Sequence, residues 1–305
     1  MATNTEQIFT FIDAYAANDQ DGIYLEAVIQ ACNEWLSGEA EPDVSDSVTK
    51  EDIRRGIQLA VLKGMKQQVQ PNHQMTPDAI GMLIGHLATK LMQAKDEVQV
   101  LDPAAGTGNL LFTVMNAFGQ KASASSVEID ELLVRLAAVS ADLIEQPVQF
   151  FVQDALRPLL IDPVDLVICD LPVGYYPDDD NGLNFEMMPA EGHAYAHHLF
   201  IEQSMKHLKE GGYGIFLAPA TLFESDQASI FHQYVKKNVR IRAVLQLPES
   251  LFKNRAHEKS ILILQKPTEN MKVTPDVLLS KVPNMSNKQA MSSFLQKVDE
   301  WANDM

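Results

Sequence analysis

The segment LDPAAGTGNLL, residues 101–111, joins an acidic residue and two glycines to the start of an apolar run. We predict that a strand ends at Asp102, that Gly106 and Gly108 form a turn without side chains, and that a helix begins at Asn109. Backbone amides of such a turn can approach a ligand closely, because no Cβ intervenes. The turn lacks the third glycine of a dinucleotide fingerprint and the Gly-Lys-Ser/Thr of a phosphate loop. It therefore disfavours a dinucleotide or a triphosphate as the ligand.

Two further acidic residues follow the next two predicted strands, Glu128 in SSVEID and Asp154 in FVQDAL. Each acid alone is more typical of a helix cap. Ligands of open α/β sheets, however, bind at the carboxyl ends of strands, where an acid after the second strand suits a ribose diol. Asp154 can accept a hydrogen bond from an exocyclic amine, and Asp102 can face an ammonium group. An amino acid, a ribose and an adenine together describe S-adenosylmethionine, which we predict as the cofactor.

The elements that would position these residues alternate along the chain. From about residue 98, short runs rich in Val, Ile and Phe, such as VQVLD, VQFFVQ and VDLVICD, alternate with helical segments. This pattern predicts an α/β fold with a doubly wound, mainly parallel sheet of seven strands. Only PESLFKNRAHE separates the last two strands, so we expect the seventh strand to run antiparallel beside the sixth.

We predict three parts of the chain. Residues 1–70 form a helical N-terminal module, because apolar side chains in IFTFIDAY, YLEAVIQACNEWL and EDIRRGIQLAVLKGM recur at spacings of three and four. Residues 71–270 hold the α/β domain, and residues 271–305 form a helical tail that includes KQAMSSFLQKVDEWAN. A homodimer formed through the N-terminal helices is a further expectation.

The composition limits the partners of this chain. The net charge is −17 at pH 7, and residues 1–52 hold twelve acidic residues against Lys50 alone. Because such a chain has no net positive field to neutralise phosphates, tight binding of nucleic acid without a partner is not expected. No run reaches 18 apolar residues and the N-terminus carries acids, which predicts a cytoplasmic protein with no membrane partner. Cys32 and Cys169 show no framework spacing, so we expect reduced thiols.

The motif DPAAGTGNLL closely resembles the cofactor motif of the N6-adenine DNA methylases, especially the modification subunits of type I restriction systems. HQMTPDAIGMLIGHL, residues 73–87, resembles the preceding segment of that family, in which a Thr-Pro before a helix helps to hold the methionine end of the cofactor. HHLFIEQSMKHLKEGGYGIFLAP and KSILILQK are similar to its later strands and helices. The resemblance spans about residues 70–266 and implies a Rossmann-like class I methyltransferase, related to stand-alone bacterial members.

The resemblance also implies a set of cofactor-binding residues. The matching positions are Thr76, Asp102, Ala104, Gly106, Glu128, Asp154 and Asp170, and we add Gly108, Asn109, Ile129 and Ala155 from the same motifs. No metal is expected. His193 and His197 are spaced to share a metal ion, but no Cys or carboxylate set completes a ligand shell.

The catalytic tetrapeptide of the family is Asn-Pro-Pro followed by Tyr or Phe, whereas this chain has DLPVGYYP at residues 170–177. Asp170 can accept one hydrogen bond from an adenine amine, and the Leu171 carbonyl can accept a second. Val173 replaces the ring on which the base would stack, a contact worth roughly 1–3 kcal/mol. Tyr175 or Tyr176 either supplies that ring or packs within its own loop, and the residues alone leave both possibilities open. The predicted catalytic residues are Asp170, Leu171, Pro172, Tyr175 and Tyr176.

Three functions stay open on this basis. Resemblance over the whole domain favours an N6-adenine DNA methylase. The altered tetrapeptide and the acidity favour methylation of a protein amide or of RNA, and a catalytically silent cofactor-binding interaction protein is the third possibility. Family members that read DNA use a target-recognition domain or a specificity subunit, and the 39 residues after Lys266 are too few for the former. DNA binding would therefore require a basic partner or a specificity subunit.

Overall fold

The computed structural model describes residues 2–18, 23–67, 75–252, 254, 257–269 and 277–304. Three helices come first, α1 (Asn4–Asn18), α2 (Tyr24–Ser37) and α3 (Lys50–Gln67), followed by α4 (Asp78–Leu91). Ile8, Val28 and Ile57 represent the apolar faces of α1 to α3, which pack together and against a later helix, residues 131–143. The domain boundaries predicted at residues 70/71 and 270/271 lie outside the described residues, so the three-part division stays a prediction.

From residue 98 onward, strands and helices alternate. The strands are β1 (Val98–Asp102), β2 (Ala122–Glu128), β3 (Val148–Val152), β4 (Val164–Asp170), β5 (Leu208–Pro219), β6 (Arg240–Gln246), β7 (Lys259–Gln265) and β8 (Leu278–Lys281). The helices are α5 (Asn109–Phe118), α6 (Glu131–Leu143), the short α7 (Asp179–Gly182), α8 (Ala196–Lys206), α9 (Ala228–Asn238) and α10 (Lys288–Asn303).

The strands form one sheet in the order β3-β2-β1-β4-β5-β7-β6-β8. The five strands from β3 to β5 in this order are parallel, and β7 is antiparallel to both β5 and β6. This confirms the doubly wound α/β fold class and the antiparallel seventh strand. Within the described residues the sheet has eight strands rather than seven, because β8 of the tail pairs with the free edge of β6.

Apolar side chains cover both faces of the sheet, which is why β4 is buried along almost its whole length. One face packs against α4, α5 and α10, and the other against α8 and α9. From β1 the chain continues to β2 and β3 on one side of β1, and β4 and β5 then follow on the other side. The strand order therefore reverses between β1 and β4. Ligands of such sheets bind in the crevice at that reversal. No helix among the described residues is long and apolar enough to cross a membrane.

Candidate active site at the carboxyl edge of the sheet

The glycine turn after β1 borders this crevice. Gly106 has φ +54° and Gly108 has φ +78°, values in the left-handed region that favours glycine. A Cβ added to Gly106 would meet nothing within 4 Å, whereas one added to Gly108 would lie 2.6 Å from the Phe112 ring. Gly108 is thus required by packing, and Gly106 leaves open space at the turn.

Glu128, at the end of β2, holds the turn in place. Its carboxylate accepts hydrogen bonds from the backbone amides of Gly106 (2.9 Å), Ile129 (2.8 Å) and Asp130 (3.0 Å). An ionised carboxylate has about four lone-pair sites, so this one can accept a further hydrogen bond. The Ile129 side chain beside it is 68% exposed and offers an apolar surface at the same edge.

Asp102, at the end of β1, is a buried carboxyl group without a cationic partner among the described residues. Burial raises its pKa to about 8, and the charges of Glu128 and Asp170 act in the same direction. The hydrogen bond that it accepts from the Ala104 amide, at 3.1 Å, opposes this rise. A cationic ligand group would therefore favour the ionised form of a carboxyl group that is mostly protonated at neutral pH in the free protein.

Asp170, at the end of β4, contacts two other parts of the chain. Its Oδ2 accepts a hydrogen bond from the Thr76 hydroxyl at 2.8 Å, and its Oδ1 forms an ion pair with the Lys259 ammonium group. Thr76 belongs to the predicted site, whereas Lys259 was not predicted. The expected antiparallel seventh strand contained the signal, because the first residue of such a strand lies at the carboxyl edge of the parallel strands.

Tyr176 is buried and ties the loop after β4 to Asp154. Its hydroxyl donates a hydrogen bond to Asp154 Oδ2 at 2.6 Å and accepts one from the Asn181 amide group at 2.9 Å. Burial, together with the Asp154 hydrogen bond, raises the pKa of Tyr176 to about 12. Ala155, next along, is also buried, and its carbonyl accepts a hydrogen bond from Gln203. Tyr176 thus fixes Asp154 and does not present its ring to solvent.

Tyr175 lies on the opposite side of this loop, with 55% of its surface exposed. Its ring stacks on Tyr195 at 4.9 Å with an interplanar angle of 7°, and Tyr195 stacks on His197 at 5.0 Å. Val173 is exposed, whereas Leu171 is buried. An exposed aromatic ring, stacked on Tyr195, thus lies five positions after Asp170.

The sequence model of the family described as N-6 DNA Methylase matches residues 66–299. The chain belongs to the N-6 DNA methylase family. YtxK, an uncharacterized protein of Bacillus subtilis strain 168, is 53% identical over 250 residues, which are 82% of this chain and 76% of YtxK.

Solved structures resemble this N-6 DNA methylase family member over nearly its whole length. A crystal structure from Listeria monocytogenes, provisionally described as a class I S-adenosylmethionine-dependent methyltransferase, has a TM-score of 0.90 and 41% identity, covering 98% of this chain and 99% of that one. The methyltransferase subunit of a type I restriction-modification system from Streptococcus thermophilus has a TM-score of 0.64, covering 96% of this chain and 74% of that one. At 14% identity, this second likeness shows the fold alone. The predicted family and the class I methyltransferase fold are confirmed.

In this family member, a buried arginine of α3 connects the N-terminal helices to the crevice. Arg54 is 4% exposed and donates hydrogen bonds to Asn109 Oδ1 (2.7 Å) and to both carboxylate oxygens of Asp78 (3.2 and 2.9 Å). Asn109 in turn donates to the Thr76 carbonyl at 2.8 Å. Asn109 therefore positions Thr76 and the start of α4, and its side chain is occupied by protein partners. Sequence reasoning missed Arg54, since nothing local marks a contact across 55 positions.

Two histidines that the spacing suggested as a metal pair lie in different surroundings. His193 is exposed and contacts the Asp179 carboxylate at 2.8 Å, whereas His197 is 5% exposed. Burial, with a smaller contribution from His198, lowers the pKa of His197 to about 3. Within the described residues, no group of three His, Cys, Asp or Glu side chains is arranged to hold a metal ion.

Proposed function

We propose that this protein is an S-adenosylmethionine-dependent N-methyltransferase whose acceptor is the exocyclic amino group of an adenine. One observation supports it most: a turn with open space at Gly106 is held by Glu128 beside Asp102 and Asp170, where the strand order reverses. Each of these three carboxylates follows or ends a strand at the same edge, the location at which open α/β sheets bind ligands.

The residues of this edge suit the parts of the cofactor. Asp102 would face the ammonium group of the methionine part, because it is buried and lacks a cation within the described residues. Glu128 would accept hydrogen bonds from the ribose hydroxyls, and Ile129 would contact one face of the adenine. Asp154, fixed by Tyr176, would accept a hydrogen bond from the adenine amine. When bound, the cofactor supplies a methyl group on an electrophilic sulfonium.

The loop after β4 would receive the acceptor. Asp170 Oδ1 and the carbonyl of Leu171 would accept hydrogen bonds from the two amine hydrogens. This would take the nitrogen lone pair out of conjugation with the adenine ring and direct it toward the methyl group. The exposed Tyr175 ring, already stacked on Tyr195, would replace the missing ring at Val173. Positioning of this kind accounts for most of the rate enhancement when the methyl donor is already reactive.

The acceptor molecule would be DNA presented by a partner. A net charge of −17 opposes unaided approach to phosphates, so the partner would supply the positive charge, as a specificity subunit does. A second candidate is methylation of a protein amide or of RNA. The exposed Val173 favours the protein amide, because an amide needs no stacking ring.

Calorimetry and isotope transfer test this function together. Wild-type protein is expected to bind S-adenosylmethionine and its demethylated product, and tritium from labelled cofactor is expected to enter DNA in a lysate from a deletion strain. Asp170→Ala should remove the transfer while leaving the fold largely intact, because Asp170 is expected to orient the acceptor nitrogen rather than to support the core. Label in protein or RNA would favour the second candidate, and binding without any acceptor would indicate a silent cofactor-binding protein. Absence of binding by the wild type would refute the proposal.

A further inference from the structure

Lys259 of β7 pairs with Asp170 of β4, and β5 lies between these two strands in the sheet. Lys259 is the first residue of β7 and lies opposite Pro219, with which β5 ends. Since β7 is antiparallel to β5, its amino end lies at the edge where β4 ends. The Lys259 side chain is 23% exposed and that of Asp170 is 19% exposed, so the pair is largely removed from water. It is therefore not the kind of solvated surface pair that contributes little.

The two oxygens of Asp170 are both engaged by donors of this chain. Thr76 donates its hydroxyl hydrogen to Oδ2, and Lys259 donates an N–H of its ammonium group to Oδ1. An acceptor amine would also offer N–H donors to a carboxylate oxygen. The Lys259 ammonium group already donates to Oδ1, the oxygen that the proposed function assigns to the acceptor amine, so the two groups compete for the same side of the carboxylate.

The charges around the crevice strengthen this competition. Asp102, Glu128 and Asp170 lie close enough for the charges of the latter two to raise the pKa of Asp102. Among the described residues, one cationic side chain contacts this group of carboxylates: Lys259, which pairs with Asp170. Removal of its charge would leave a negative position that a small external amine can enter.

We infer that Asp170 forms an amine-binding position, which the free protein fills with its own Lys259 and which an acceptor amine occupies only by displacing that lysine. This inference rests on the proposed function, in which Asp170 contacts the acceptor nitrogen. Lys259 is then a specificity-determining residue, because acceptors held weakly by the rest of the site cannot displace a partly buried ion pair.

An amine-rescue experiment tests the inference without any enzymatic activity. The melting temperature of Lys259→Ala is measured with methylammonium chloride, which donates N–H hydrogen bonds, and with tetramethylammonium chloride, which cannot, at equal ionic strength. Methylammonium, but not tetramethylammonium, should raise the melting temperature of Lys259→Ala, by about 2–4 °C at a tenfold excess over its dissociation constant. Wild-type protein and Lys259→Ala/Asp170→Asn should show no such difference.

Lys95→Ala is a matched control, because Lys95 pairs with Asp165 at the opposite edge of the sheet and Lys209 still neutralises that aspartate. No selective methylammonium effect is expected there. Equal shifts from both salts in Lys259→Ala, or the same selective shift in the wild type, would show that no amine position exists on Asp170.

Methyl transfer gives a second, separate measurement, for which Lys259→Met keeps the length of the side chain. Lys259→Met is expected to transfer tritium to the acceptor fraction about fivefold faster than the wild type, the fold-change that corresponds to the upper end of the range for one ion pair. Lys259→Arg should stay near the wild type. Transfer by Lys259→Met at or below the wild-type rate would overturn the inference. Failure of the proposed function would be seen instead as no cofactor binding by the wild type, and the amine measurement would then decide this inference alone.

Discussion

The two ends of β4 each carry an aspartate, and their surroundings differ. Asp165, near the start, is 3% exposed and accepts hydrogen bonds from Lys95 (2.8 Å), Lys209 (3.0 Å) and the Gln99 amide (3.0 Å). Asp170, at the end, shares one lysine with a crevice that also holds Asp102 and Glu128. Asp165 thus has two lysines for one negative charge. At the other end of the strand, three carboxyl groups have one lysine among the described residues.

This difference separates a structural carboxylate from a site. A buried charge that is fully paired adds little to the stability of the fold. Removal of one partner is nevertheless strongly destabilising, because it leaves the other charge buried and unpaired. A cluster of carboxyl groups with incomplete compensation disfavours its own charged state, and a cationic ligand relieves that cost. The amino edge of the sheet therefore supports the fold, and the carboxyl edge retains the capacity to bind.

The largest effect expected from this contrast concerns pH. Burial raises the pKa of Asp102 to about 8, so the folded protein binds one proton more than the unfolded chain between about pH 4 and pH 8. The free energy of unfolding should fall as pH rises through this range, by at most about 1.4 kcal/mol per pH unit from this group. Asp102→Asn should remove that part of the slope, as measured by urea denaturation at several pH values.

Asp165 provides the opposite sign as a control. Burial acts to raise its pKa, but the hydrogen bonds from Lys95, Gln99 and Lys209 outweigh it and hold the pKa below its ordinary value. Its stabilising contribution is present above about pH 4 and is lost as pH falls through the folded pKa. Identical pH slopes for wild type and Asp102→Asn would contradict an uncompensated carboxyl group at the carboxyl edge.

The next effect tests whether the open space at Gly106 belongs to the ligand. Gly106→Val should weaken S-adenosylmethionine binding by at least about 100-fold, because its side chain would project from the turn into the crevice. Gly38→Val is the matched control, since Gly38 has φ +74° with nothing within 4 Å and lies at the end of α2. Both variants should lose stability through backbone strain, by about 1–3 kcal/mol. Calorimetry should detect the loss of affinity in Gly106→Val alone, and equal losses in both would assign Gly106 to the fold.

A smaller effect distinguishes ribose binding from helix capping at Glu128. Glu128→Ala is expected to weaken the cofactor by about 1.5–3 kcal/mol, the range for hydrogen bonds to a charged group. Asp130 caps α6, because its carboxylate accepts a hydrogen bond from the Leu132 amide at 2.9 Å. Asp130→Ala should therefore cost about 1 kcal/mol of stability without changing cofactor affinity. Unchanged affinity in Glu128→Ala would reassign its carboxylate to holding the turn.

Local pattern accounts for what the sequence predicted correctly. The family and the class I fold follow from DPAAGTGNLL and from apolar periodicity, and the antiparallel seventh strand follows from the short connection PESLFKNRAHE, because all three signals depend on neighbouring residues. The strand β8 was missed because LLSK is too short to show a period and forms by pairing with β6.

The site residues divide in the same way. Glu128 and Asp170 could be placed from strand ends, whereas the choice between Tyr175 and Tyr176 could not, since adjacent residues point to opposite sides and only packing decides which is buried. Lys259 was not predicted, although an antiparallel seventh strand places its first residue at the carboxyl edge of the parallel strands. The cofactor and acceptor roles of all these residues stay predictions.

The smallest effect concerns how the carboxyl edge depends on another part of the chain. The partners of Asp165 lie within or beside the sheet, but Thr76 is held through Asn109 by Arg54 of α3. Arg54→Lys would lose the planar fork that contacts Asp78 and Asn109 together. We expect cofactor affinity to fall about threefold, because Thr76 becomes less fixed, with a loss of stability of about 1–2 kcal/mol.

Arg55→Lys is the neighbouring control. Arg55 is 57% exposed and approaches Glu51 and Asp78 only to 3.8 Å, so its replacement should change neither quantity measurably. Calorimetry and thermal denaturation of both variants separate two roles for Arg54. A drop in stability with unchanged affinity would limit Arg54 to packing the N-terminal helices. A threefold loss of affinity in Arg54→Lys alone would show that the binding edge, unlike the structural edge at Asp165, is held from outside the sheet.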